Sequence, residues 1–183
     1  MIKHSMTIGL VIVALAGSVT NCKTYAAQSE VASQAKQAIE YAEAEVEKAR
    51  EAIELGKQLI TQIPEDHLLM PDVAQVLELA SENWKTAVDS LKGAEMSASK
   101  MGSATQDSIA NDYAMLAKVN AGVSVSGAKV VQMSITYLDA IANNKTGSLR
   151  IIRAAMQDAL ESSSQVQLSY ERVKALISQK YSK

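Results

Sequence analysis

Aromatic residues, cysteine and histidine are scarce in this chain of 183 residues. It has no Phe, one Trp and six Tyr, and it has one Cys and two His. One cysteine cannot form an intramolecular disulfide, a Cys-based zinc site or the two-cysteine attachment of a c-type haem. Two histidines leave little for a metal centre. We therefore expect neither a metal nor a cofactor.

Proline, glycine and net positive charge are low as well. Two Pro and eight Gly are too few for an all-β domain with many turns. A net charge of −2 argues against nucleic-acid binding, which needs a basic surface. Ala, in contrast, occurs 28 times. A length of 183 residues with 48% hydrophobic residues is enough for one core and too little for two ordinary domains.

The first residues read as a secretory leader. After a short basic start, residues 7–16 (TIGLVIVALA) form an uncharged apolar run. This run is too short to span a bilayer, which takes about 20 residues, and it suits the core of a signal peptide. A stretch of small and polar residues follows and ends at Cys22, the only cysteine.

A lone cysteine just behind an apolar run resembles the lipobox of bacterial lipoproteins, over residues 1–22 only. The motif here is Val19-Thr20-Asn21-Cys22, in which Asn21 departs from the usual Gly, Ala or Ser. The resemblance implies a signal peptide over 1–21, attachment of lipid such as palmitate to the Cys22 sulfur, and cleavage before Cys22. Two or three acyl chains would anchor the protein stably in a membrane.

Lys23 stands where enterobacterial lipoproteins retained in the inner membrane carry Asp, so the resemblance implies an outer-membrane or cell-surface address. Two alternatives stay open. Ordinary cleavage after Ala26 or Ala27 would discard Cys22 and release the protein to the periplasm or the medium, and an uncleaved leader would act as an anchor. Residues 22–28 are expected to form a short tether.

Heptad spacing dominates the remainder of the chain. Apolar and small residues alternate at intervals of three and four, which indicates coiled-coil-like helices. Large and small positions alternate along the stripe of the first helix, which contains Ala32, Ala35, Ile39, Ala42, Val46, Ala49, Ile53, Gly56, Ile60 and Ile63.

Turn residues divide these stripes into four segments. Pro64, Pro71, Gly102 and Gly147 mark the breaks. The spacing predicts helices over 29–63, 71–101, 104–142 and 148–180. Their similar lengths and short loops predict an all-α fold, an elongated antiparallel up-down-up-down four-helix bundle with heptad packing. The alternative is two hairpins that open or dimerise.

Polar residues interrupt the stripes at a few positions. Ser126 and Ser163 fall on the core stripes of helices three and four, at the level of Ala49 and Ala87. This layer would hold either a small polar cavity or close packing, with each hydroxyl bound to a carbonyl of its own helix. Asp112 is also in register, and Tyr113 is expected to cover it.

Two further features are interpreted as structural. Trp84, in phase with Leu77 and Leu91, is expected in the core. The loop Glu65-Asp66-His67, together with Asp72, has oxygen and imidazole ligands for a hard metal, but its spacing fits a surface loop better.

No catalytic constellation accompanies these features, since Ser162-Ser163-Ser164 has no base placed to activate it. We therefore predict a non-enzymatic, lipid-anchored cell-envelope module that meets the membrane through acylated Cys22 and binds a protein partner. One alternative is a small-ligand or lipid carrier that uses the bundle interior. Another is a homo-oligomeric coiled coil, toxin-like or pore-associated, with apolar residues off the stripes at Leu55, Leu79, Val125, Val131 and Leu160.

Overall fold

The computed structural model describes residues 24–181, and all the regular secondary structure within them is helical. The four α-helices are α1 (Thr24–Ile60), α2 (Met70–Ser103), α3 (Asp107–Ala142) and α4 (Leu149–Tyr181), with a 3-10 turn at Thr146–Ser148. They pack against one another. The prediction of an all-α fold with four helices is confirmed. Because α1 begins at Thr24, it overlaps most of the segment expected to be a tether.

The loops contain the turn residues that the sequence indicates. Pro64 follows the end of α1, and Pro71 lies in the first turn of α2, where its missing N–H is not needed. Asn144, just beyond α3, has a φ of 53°. Asn tolerates this left-handed conformation better than most residues, and it lets Lys145 donate its N–H to the carbonyl of Ala140 at 2.8 Å.

Helix α3 is the central helix of the bundle. It packs against α1, α2 and α4, whereas the backbone of α4 lies beside α3 and the preceding 3-10 turn alone. Between Asn120 and Ile141, α3 buries residues on almost every side, while no residue of α4 is fully buried. A helix that is apolar or small on all faces belongs in an interior. The core is therefore organised around α3 and is not shared equally by the four helices.

Small residues line the contacts of α3 with α1 and α2. Ala42 and Ala49 of α1 and Ala87 and Ala94 of α2 are all fully buried. They pack in clusters with alanines of α3, namely Ala114, Ala117, Ala121 and Ala128. Seams of this kind leave no room for a ring, and the buried ring of Tyr137 belongs to a different cluster.

Helix α2 packs directly against Gly127 of α3. A Cβ atom added to Gly127 would lie 2.9 Å from the backbone carbonyl oxygen of Asn83 and 3.3 Å from Cβ of Ala87. At Gly122, on the side of α3 that faces α4, an added Cβ would lie 3.4 Å from Cγ1 of Val166, an ordinary contact.

We predict opposite effects of alanine at these two glycines. Gly127→Ala forces α2 and α3 apart and should lower the free energy of unfolding by roughly 1–3 kcal/mol. Gly122→Ala is the matched control and should raise it by up to about 1 kcal/mol, because alanine favours helix. Urea unfolding followed by far-ultraviolet circular dichroism measures both, and equal effects would contradict the close approach.

Candidate functional site

The predicted lipid-attachment residue, Cys22, lies outside the described residues. Helix α1 begins at Thr24, so the described helix starts almost at the anchor position of the sequence. In the part of the chain from 24 to 181, no helix is both long and apolar enough to cross a bilayer.

The two core serines of the sequence prediction face each other across α3 and α4. Their hydroxyl oxygens are 3.4 Å apart, and the hydroxyl of Ser126 lies 2.9 Å from the carbonyl oxygen of Val123, one turn earlier in α3. Ser126 is buried, while Ser163 is half-buried. The bond of Ser126 to a carbonyl of its own helix is the one expected for close packing, whereas Ser163 contacts the hydroxyl of Ser126. Neither serine lines either of the two surface hollows described below.

A polar cluster joins α2, α3 and α4 through a buried tyrosine. Tyr137 of α3 is only 1% exposed, and its hydroxyl donates to Oδ2 of Asp72 at 3.1 Å. Nη2 of Arg153 donates to the same hydroxyl at 2.6 Å and also to Asp72. The guanidinium carbon lies 5.5 Å from the centre of the tyrosine ring, within range of a cation–π interaction.

The electrostatics of this cluster keep the tyrosine neutral. Burial raises the pKa of Tyr137, and the carboxylate of Asp72 raises it further, against the lowering effect of Arg153. The hydrogen bond to Tyr137, and then the charge of Asp72, raise the pKa of Arg153. A protonated phenol between a carboxylate and a guanidinium satisfies all three groups, so the cluster acts as a clamp between helices.

Two members of the candidate hard-metal group, His67 and Asp72, form hydrogen bonds within the protein. Asp72 faces Arg153 and Tyr137, and Nδ1 of His67 accepts the backbone N–H of Leu69 at 3.2 Å. Across residues 24–181, no three His, Cys, Asp or Glu side chains converge in a way that could hold a metal ion.

A second clamp holds the other end of α4. Oδ2 of Asp112 accepts hydrogen bonds from Nζ of Lys180 and from the hydroxyl of Tyr181, each at 2.6 Å. Burial raises the pKa of Asp112, but these hydrogen bonds and the charge of Lys180 lower it more, so its pKa falls below the ordinary 3.8. The sequence predicted that Tyr113 would cover Asp112. The hydrogen bonds to Asp112 come instead from Lys180 and Tyr181, in the last turn of α4.

The Asp112 clamp should respond to acid. A depressed carboxyl pKa stabilises the folded state above pH 3.8, and this stabilisation is lost as the pH falls below that value. Asp112→Asn should therefore speed amide hydrogen exchange in the last turn of α4 severalfold at pH 7 and by a smaller factor at pH 3. Asp158→Asn, exposed on the same helix, is the control. An equal effect of Asp112→Asn at both pH values would contradict the clamp.

An apolar hollow opens on the surface between α1 and α2. It has a volume of about 330 Å³, and Ile135 of α3 lies at its floor. We call it the α1–α2 hollow; its apolar lining is Ile53, Gly56, Ile60, Leu77, Ala80, Trp84 and Ile135, and its polar lining is Arg50, Glu54, Lys57 and Ser81. Trp84, expected in the core, is half-buried here.

A second hollow, of about 410 Å³, lies between α2 and α4 above the Tyr137 clamp. Its lining mixes apolar side chains such as Leu79 and Met156 with the charged residues Asp72, Glu78, Glu82 and Arg153.

Heptad spacing did not predict the two hollows. It places Ile53, Leu77 and Trp84 on the core stripes but does not indicate where the helices separate. Gly56 is the one signal that could have pointed to the α1–α2 hollow, since a missing side chain on a stripe of Ile and Ala marks a local change of packing. A Cβ atom at Gly56 would lie 2.6 Å from Cδ1 of Ile135.

No family model, curated protein or solved structure matches this chain.

Proposed function

We propose that this chain is a lipid-anchored protein of a bacterial cell envelope, a non-enzymatic helical module that binds a protein partner. The observation that carries the proposal is the position of Cys22, the only cysteine, behind the apolar run 7–16. Helix α1 begins at Thr24, so an acyl anchor on Cys22 would be joined to the bundle almost directly.

We further propose that the bundle has an antiparallel up-down-up-down arrangement with heptad packing. Contacts between α3 and α4 support it. Arg153, early in α4, contacts Tyr137, late in α3, whereas Lys180, late in α4, contacts Asp112, early in α3.

Contacts between α1 and α3 agree with the same arrangement. Nζ of Lys118 donates to Gln34 at 3.1 Å, and Nε2 of Gln132 donates to Oε2 of Glu45 at 3.2 Å. Earlier residues of α1 thus pair with earlier residues of α3, as expected for two helices that run in the same direction.

This arrangement determines which end of the rod would face a partner. Helix α1 has 37 residues, about 55 Å at 1.5 Å per residue. With Cys22 in the membrane, the loops 61–69 and 143–145 would lie far from the lipid, and the loop 104–106 close to it. The far end carries Leu68, which is 91% exposed and therefore available for a partner.

Replacement of the anchor residue tests the proposed function. In bacterial cells fed labelled palmitate, the wild-type chain should incorporate label and sediment with membranes. Cys22→Ser should lose the label, because no acyl chain can attach to serine at this position.

Ser18→Ala, in the same leader, is the control and should keep the label. An unlabelled wild-type chain whose mature N-terminus lies after Ala26 or Ala27 would overturn the anchor in favour of ordinary secretion.

A second candidate function is self-association, which the outer face of α4 favours. Ile151, Leu168 and Leu176 are 72%, 58% and 63% exposed on a helix without a fully buried residue. Among the off-stripe residues, Val131 is fully buried, and Leu55 is exposed on α1.

Light scattering coupled to gel filtration tests this candidate. If α4 mediates association, the wild-type chain is larger than a monomer, and Leu168→Glu reduces its mass because a charge cannot be buried in the interface. Leu55→Glu is the control and should leave the mass unchanged. A monomeric wild-type chain would exclude self-association.

A further inference from the structure

The α1–α2 hollow is closed at both ends by packed clusters. On one side, Ala49 and Ala87 pack together with Val131 of α3. On the other side, Ile63, just beyond α1, and Val73 of α2 belong to one core cluster with residues of α3. The three helices are thus joined before and after the hollow, and the opening is confined to the stretch between these clusters.

Size and shape limit what could occupy this opening. Its 330 Å³ lie at the lower end of the range of small-molecule sites, about 300–1,000 Å³. An α-helix with its side chains is about 10–12 Å across and needs a continuous groove, which the closed ends do not provide. The lining from Arg50 to Ile60 follows α1 for about 15 Å at 1.5 Å per residue. A single alkyl chain fits these limits.

Charges at the edge of the hollow favour a negative head group. Arg50 and Lys57 line it with Glu54, so cations outnumber anions. Arg50 is paired with Glu47, and Nζ of Lys57 lies 2.7 Å from Oε1 of Glu54. These are exposed pairs three residues apart on one helix, which contribute little to stability. The carboxylate of a ligand can therefore replace Glu47 or Glu54 as the partner of a cation at little cost in free energy.

We propose that the α1–α2 hollow binds a medium-chain fatty acid. The alkyl chain lies against Ile53, Leu77 and Trp84, and the carboxylate meets Arg50 and Lys57 at the edge. The site is formed by α1, α2 and α3 alone and stands independently of the anchor at Cys22, so either proposal can fail without the other.

Trp84 provides the readout, because it is the only tryptophan in the chain and it lines the site. The full chain with Cys22→Ser is titrated with octanoate, decanoate and dodecanoate below their micelle concentrations. We expect saturable shifts of Trp84 emission to shorter wavelength, with affinity rising about fourfold per methylene. No shift, a shift that does not saturate, or an affinity independent of chain length would overturn the proposal.

Head-group variants test the charge assignment. Dodecanoate should bind more tightly than dodecanol, and dodecyltrimethylammonium should bind most weakly. Lys57→Gln should lower the affinity for dodecanoate severalfold and leave the affinity for dodecanol unchanged. Lys36→Gln, which removes another paired lysine of α1 away from the hollow, should change neither. Equal binding of the cationic and anionic amphiphiles would overturn the assignment of a carboxylate.

Two substitutions test the location, with circular dichroism to verify folding. Ser81→Phe places a bulky side chain at the exposed edge of the hollow, and Leu77→Gln makes its half-buried wall polar. Each substitution should lower the affinity for dodecanoate at least tenfold. Ser99→Phe, exposed on α2 beyond the hollow, is the control. Wild-type affinity in both Ser81→Phe and Leu77→Gln would place binding elsewhere. A dimeric wild-type chain with an unresponsive Trp84 would indicate that a second copy covers the hollow.

Discussion

The close approach of α1 and α2 to α3 is the constraint on which the other features depend. Helices can pack this closely only where the side chains between them end at Cβ or are absent, as at Ala87 and Gly127. The clusters of buried alanines satisfy this constraint along the seams. The α1–α2 hollow opens beside Gly56, where the stripe of α1 lacks a side chain between Ile53 and Ile60.

Helix α4 is attached less deeply than the other three helices. Its apolar side chains Leu149, Ile152 and Met156 pack against the core but stay half-buried, and a polar clamp adds to these contacts at each end of the helix. One clamp joins Arg153 to Tyr137 and Asp72, and the other joins Lys180 to Asp112. Segments with little buried apolar surface open at a lower free energy than the core does, so α4 is the part of the bundle best suited to move.

The heptad pattern was sufficient to predict four helices, because turn residues such as Pro64 and Gly147 interrupt it at clear points. It did not predict that α3 is central, since each helix was assigned a single apolar stripe. The segment AGVSVSGAKVV, residues 121–131, does carry that signal, because small and β-branched residues occupy nearly all its faces. The clamps could not be predicted, since Asp112 and Lys180 are far apart in the sequence and no spacing rule links them.

The central position of α3 also bears on how the bundle forms. A protein is synthesised from its N-terminus, so α1, α2 and α3 are made before α4. Because α3 obtains its alanine seams from α1 and α2, these three helices can close a core while α4 is still emerging. Helix α4 can then dock on a surface already in place, where its two clamps fix its register against α3.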